Sequence, residues 1–154
     1  MKSIMFKIFF LLLATVLLLT SFGCGKDAEY IKGETEMSYT KNTDGYYQLT
    51  PEEAHGIMVR ESGYVILDVR TESEFNEAHI PDAMLLPDYE IIERAEEVLP
   101  DKDKMILVYC RSGRRSKNAS AELAAMGYTN VWEFGGIIDW PYDVVSDGEN
   151  PQAD

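Results

Sequence analysis

Apolar residues in this chain occur as short unbroken runs, separated by segments where they recur at every third or fourth position. The pattern predicts strands alternating with helices. Residues 105–109, MILVY, are apolar and partly β-branched, as in a strand buried on both faces. Ala119, Leu123 and Met126 then recur at i, i+4 and i+7 until Gly127, an amphipathic helix with its terminating glycine. Upstream, residues 46–49 read as a short edge strand. Thr50 follows as an N-cap, Pro51 suits the first helical position and Glu53 completes a capping box, with Ala54, Ile57 and Met58 as the apolar stripe. Residues 65–69, VILDV, predict a second buried strand, and residues 83–86 a third. Asp88 is the expected cap of a helix in which Ile91, Ile92, Ala95, Val98 and Leu99 face the core, ended by Pro100, and residues 131–134 form the last strand. Such alternation predicts an α/β fold with a mainly parallel central sheet and helices on both faces, binding its ligands beyond the carboxyl ends of the strands.

The sequence CRSGRRS, residues 110–116, falls at one of those carboxyl ends. A loop there turns successive backbone N–H groups toward one anion, and the following helix N-terminus adds partial positive charge. Gly113 permits a left-handed backbone, and Arg111, Arg114 and Arg115 bring three cations to an acidic chain. N–H dipoles and guanidinium groups favour a thiolate, taking Cys110 below the free cysteine value of about 8.5. A lone cysteine after an apolar strand is by default a small buried hydrophobe; three arginines within five residues reverse that reading.

With this loop come LDVR at residues 67–70, Glu74 and Phe75, AHIPDA at residues 78–83 and GGIIDW at residues 135–140. In that order the segments resemble the rhodanese-like sulfurtransferases, over residues 46–145. Ala78 and Asp82 stand where that family usually has glycines. The resemblance implies a single rhodanese-like α/β domain in which Cys110 takes a sulfane sulfur from a small anionic donor such as thiosulfate and passes it, as a persulfide, to a thiol or other nucleophile. It implies that the loop N–H groups of Arg111, Ser112, Gly113, Arg114 and Arg115 stabilise the persulfide, and that the arginines receive the anionic part of the donor. No cofactor is implied.

The ends of the chain carry different information. Lys2 and Lys7 precede an apolar run at residues 8–19, the layout of an export signal. Gly23 before Cys24 resembles the lipobox of bacterial lipoproteins. The expected organisation is a signal peptide at residues 1–23, lipid attachment at Cys24, a polar tether at residues 24–45, the domain at residues 46–145 and a polar tail at residues 146–154. An uncleaved N-terminal anchor is the alternative. Both place the domain outside the cytoplasm, at the outer face of the bacterial cytoplasmic membrane or in the periplasm. As a random coil, a tether of about 20 residues holds the domain on the order of 25 Å from its anchor.

Removing residues 1–23 takes away two lysines and no acid, moving the net charge from −13 to −15. That surface repels nucleic acid, so the expected partners are a sulfur donor, a thiol acceptor and, through the lipid, the membrane; the domain is expected to be a monomer. With two cysteines in the chain and Cys24 acylated, Cys110 has no disulfide partner, so a sulfur adduct on it needs an outside nucleophile for discharge.

Two rival readings separate on specific features. Cysteine phosphatases and arsenate reductases also place a cysteine in an anion-binding loop, but phosphatases space it C-x5-R, which requires arginine at position 116. Here that residue is Ser116, and Cys110 with Arg115 makes the shorter C-x4-R. A binding module that only displays a rhodanese-like surface is opposed by retention of the cysteine and its cationic loop. Asp68, Arg70 and Glu74 are expected to form a structural ion-pair and hydrogen-bond network, the alternative being that they position the active-site loop. His79 is expected to be a hydrogen-bonded structural histidine, Trp132 and Trp140 core or rim packing, and Gly135 and Gly136 a tight turn beside the loop. His55 lies on a helix, and two distant histidines without clustered thiols give no metal site.

Overall fold

The computed structural model describes residues 38–146. Five strands, β1 (Tyr47–Gln48), β2 (Val65–Asp68), β3 (Ala83–Leu85), β4 (Ile106–Cys110) and β5 (Val131–Gly136), form one sheet in the order β1-β5-β4-β2-β3. Every neighbouring pair is parallel. The helices are α1 (Pro51–Arg60), α2 (Glu72–Glu77), α3 (Ile91–Val98) and α4 (Arg114–Ala125), with 3-10 turns at Asp88–Glu90 and Ile137–Asp139.

The period of two along β4 builds the core on both faces of the sheet. Ile106, Val108 and Cys110 pack in a layer with Ile91 and Ala95 of α3 and Ala119 and Leu123 of α4. Leu107 and Tyr109 point the other way, into a layer with Ala54 and Ile57 of α1. All five β4 residues are buried. Burying each large apolar side chain contributes roughly 1.5–3 kcal/mol, so the strand carrying Cys110 is firmly held from both sides. Because the sheet is parallel, Asp68, Leu85, Cys110 and Gly136 end their strands at the same edge.

Local chemistry sets the helix starts. The Thr50 hydroxyl accepts from the Glu53 N–H and the Glu53 carboxylate accepts from the Thr50 N–H, the reciprocal box expected from the sequence. A second box, Thr71 with Glu74, starts α2, a helix the apolar pattern does not reveal because none of its six residues is buried. Asp88 is not a cap; it opens the 3-10 turn, and α3 begins at Ile91 without a side-chain cap. Ile92 is 68% exposed, contrary to expectation. Starting at Ile91, α3 buries Ile91 and Ala95 on its i, i+4 stripe, which turns the next position about 100° away.

The two departures from the family glycines differ in kind. Ala78 has φ −165°, extended backbone open to any residue. Asp82 has φ 63°, the left-handed conformation that glycine adopts without strain and that Asp tolerates better than most residues.

Residues 38–45, assigned above to the tether, pack on the domain: the Tyr39 ring meets Trp132 edge-on at 5.0 Å and Lys41 Nζ donates to the Thr129 carbonyl at 2.6 Å. The expected signal segment, Cys24, the rest of the tether and the tail beyond Ser146 lie outside the described residues.

Candidate active site

Cys110 is the last residue of β4, paired with Gly136 of β5 across a register shift that follows Val108. Here the strands diverge and the chain turns through Arg111, Ser112 and Gly113 into α4. Gly113 caps that helix at φ 90° and aims its N–H at Cys110 Sγ, 3.1 Å away. The thiol is buried, with the whole residue 1% exposed. Burial pushes its pKa up, but the Ser116 hydroxyl and the N–H groups of Ser116, Ser112 and Gly113 pull it down further, and the net position is below an ordinary cysteine. Of the loop residues named from the sequence, Ser112 and Gly113 turn N–H groups toward the sulfur, joined by the hydroxyl and N–H of Ser116.

β5 supplies the floor of the loop. A Cβ on Gly136 would lie 2.2 Å from the Arg111 carbonyl oxygen and 2.4 Å from Ser112 Cα, so only glycine lets the two backbones meet. Beyond it, the Ile138 N–H donates to the same Arg111 carbonyl at 3.2 Å. Gly135 at φ 94° makes the turn.

The three arginines divide. Arg115 is held by Glu74 in a two-pronged pair, Nη1 to Oε2 at 2.8 Å and Nη2 to Oε1 at 2.7 Å, tying α4 to α2. The fork braces the loop, and an ionised Cys110 as well as Glu74 raises the Arg115 pKa, so the guanidinium lies within electrostatic reach of the sulfur. Arg111 and Arg114 are exposed and have no ion-pair partner among the described residues.

Glu74 was expected to join Asp68 and Arg70; instead that pair closes on itself. Arg70 Nη2 donates to Asp68 Oδ2 and to the Ala78 carbonyl, both at 2.6 Å, and the guanidinium lies over the Tyr109 ring. The pair fixes the far end of α2 and so, at one remove, the position of Glu74. His79 stacks on Phe75 at 3.8 Å and its Nδ1 is 2.9 Å from the Phe75 carbonyl, a structural role. Trp132 stacks on Tyr47 and Trp140 packs against Phe134, the packing roles expected.

Sequence reasoning missed two residues under the loop. Ser116 is fully buried; its hydroxyl donates to Glu133 Oε1 at 2.7 Å, with the Gly135 carbonyl 3.2 Å away. Glu133 is 2% exposed and also accepts from the Gly135 N–H at 2.9 Å. The single Ser116 proton has three possible acceptors, the Glu133 carboxylate, the Gly135 carbonyl and the Cys110 sulfur when ionised. The signal available in the sequence was an acid inside the apolar strand VWEF, at the alternate position that faces the cysteine's side of the sheet.

The Arg115 bonds, working against burial and joined by Thr71, lower the Glu74 pKa from 4.5 to about 2. A depressed carboxyl stabilises the fold fully above pH 4.5 and loses that contribution as pH falls through 2. With its side chain 23% exposed, the pair is screened only in part, and the contribution is roughly 1.5–3 kcal/mol. Glu74→Gln should lower unfolding stability by that amount at pH 7, and urea unfolding should show the gap to wild type closing toward pH 2. A gap that stays constant with pH would contradict the assignment.

Comparison with known proteins agrees with this arrangement. The family description Rhodanese-like domain matches residues 50–141. The chain is 38% identical over 73 residues to thiosulfate sulfurtransferase PspE of Escherichia coli, covering 47% of this chain and 70% of that protein. It is 34% identical over 96 residues to thiosulfate sulfurtransferase GlpE of Pseudomonas syringae, covering 62% of this chain and 87% of that one. Among solved structures, a rhodanese with anions from E. coli superposes with a TM-score of 0.51 at 35% identity, over 54% of this chain and 98% of that one. The solution structure of a rhodanese-like domain from Anabaena reaches a TM-score of 0.61 at 26% identity, over 70% and 86%. With its five-stranded parallel sheet and a cysteine loop at the sheet's carboxyl edge, this chain belongs to the rhodanese-like domain family.

Proposed function

We propose that the protein is a sulfurtransferase that carries sulfane sulfur on Cys110. The observation that supports it most is a buried thiol held below the ordinary cysteine pKa by inward N–H groups, in a loop spaced C-x4-R. The Cys110 thiolate attacks the outer sulfur of a donor such as thiosulfate; the new S–S bond forms, the donor's S–S bond breaks and sulfite leaves with its electron pair. The N–H groups then hold the persulfide anion, as they held the thiolate. Arg111 and Arg114 receive the donor's sulfonate through charge-assisted hydrogen bonds. The relatives named as thiosulfate sulfurtransferases support the same donor class.

The test sets thiosulfate-dependent sulfur transfer beside hydrolysis of aryl phosphates by the same preparation. Sulfur transfer with little hydrolysis is expected; robust hydrolysis without sulfur transfer would overturn the proposal. Absence of both activities would overturn it in favour of the binding module.

A further inference from the structure

Beside the loop runs an open groove of about 320 Å³, with Glu74 and Glu77 of α2 on one side and Ile138, Trp140, Tyr142 and Val144 on the other. Both walls connect directly to the loop, since Glu74 grips Arg115 and the Ile138 N–H holds the Arg111 carbonyl. The outer wall is pinned by paired backbone bonds between His79 and Val145, at 2.7 and 2.8 Å. Its apolar surface is bare: Ile138 is 63% exposed, Val144 45% and Tyr142 36%. Contiguous exposed apolar residues at a reactive site mark a contact surface.

The charges in the groove do not cancel. Arg70 is paired with Asp68 and Glu74 with Arg115. Glu77, which lines the groove, is exposed without an ion-pair partner among the described residues. The cationic side chains Arg111 and Arg114 belong to the loop itself. An anionic donor thus has a cationic loop to meet, while the adjoining groove is apolar with one unpaired carboxylate, Glu77, in its wall and suits a neutral or cationic visitor.

Building on the sulfurtransferase reading, we propose that this groove docks the acceptor, a cysteine in an apolar, basic segment of a partner protein. The openness of the groove favours a protein segment over a small thiol, because small-molecule sites enclose most of their ligand. The acceptor thiol ionises, attacks the terminal sulfur of the Cys110 persulfide and forms a new S–S bond. The Cys110 S–S bond breaks, its electron pair returns to Sγ as thiolate, and the partner leaves as a persulfide.

The full chain, loaded with sulfur from thiosulfate, is mixed with three cysteine peptides whose neighbours are leucine and lysine, leucine and glutamate, or serine and glycine. Peptide-resolved mass follows loss of sulfur from Cys110, with dithiothreitol as the reference acceptor. The leucine–lysine peptide should discharge the persulfide roughly tenfold faster than either other peptide. Val144→Asp should cut the ratio of its rate to the dithiothreitol rate by a similar factor through loss of apolar contact, and Glu77→Lys should shift preference toward the leucine–glutamate peptide. Equal rates for all three peptides, or ratios unmoved by both variants, would overturn the groove alone. So would a dimer that Val144→Asp dissociates with peptide rates unmoved, which would assign the face to a second copy. Failure to load sulfur on Cys110 would instead bring down the reading on which the groove depends.

Discussion

Cys110→Ser should reduce sulfur transfer to background while leaving the fold in place. A serine hydroxyl is scarcely ionised at neutral pH, so the N–H groups that hold the thiolate have no anion to stabilise and no persulfide forms. Cys110 is buried and belongs to the core layer between the sheet and helices α3 and α4, yet its sulfur faces polar donors as well as carbon. Serine retains those hydrogen bonds and nearly the same volume, so the stability change is expected to be within about 1 kcal/mol. Transfer assays with thermal unfolding of the same preparation check both halves. Comparable transfer by variant and wild type would remove Cys110 from the chemistry and favour the binding-module reading.

The second large effect is expected at Gly136, which carries no reactive group. Its added methyl would collide with backbone atoms of Arg111 and Ser112 rather than with a side chain able to swing away. Either β5 or the loop must shift, at a cost of roughly 2–4 kcal/mol in stability. Displacement of the loop by about 1 Å also misaligns the N–H groups around Cys110, for which a rate loss on the order of 100-fold is expected. Gly135→Ala is the informative contrast. A Cβ there meets nothing within 4 Å, although the φ of 94° strains any other residue by roughly 1–2 kcal/mol. Activity per folded molecule should therefore fall far more in Gly136→Ala than in Gly135→Ala. Equal losses would show that backbone strain, not the close approach, governs the loop.

The sheet and the placement of the cysteine were legible because strong local signals agreed. β4 is an apolar run followed at once by a glycine-bearing loop and an i, i+4 helix, and Thr50-Pro51-x-Glu53 announces α1 without ambiguity. The two family glycine positions were not legible in this way: Asp82 keeps a left-handed backbone while Ala78 is extended. What stayed hidden depends on long-range pairing. Arg115 and Glu74 stand 41 residues apart, and no periodicity shows that they meet. Helix α2 buries nothing and was announced only by its Thr71–Glu74 box, the same device read correctly at Thr50. Glu133 was missed because a carboxylate in a short strand ordinarily faces water; its burial makes sense only once Ser116 and the Gly135 N–H are known to surround it.

In the proposed cycle the transferred sulfur rides on Sγ of Cys110, which peptide-resolved mass spectrometry of the full chain after incubation with thiosulfate can detect. The expected result is one added sulfur on the peptide containing Cys110, removed by a thiol and absent from Cys110→Ser. An unmodified Cys110 after thiosulfate, in a preparation that nevertheless transfers sulfur, would contradict it.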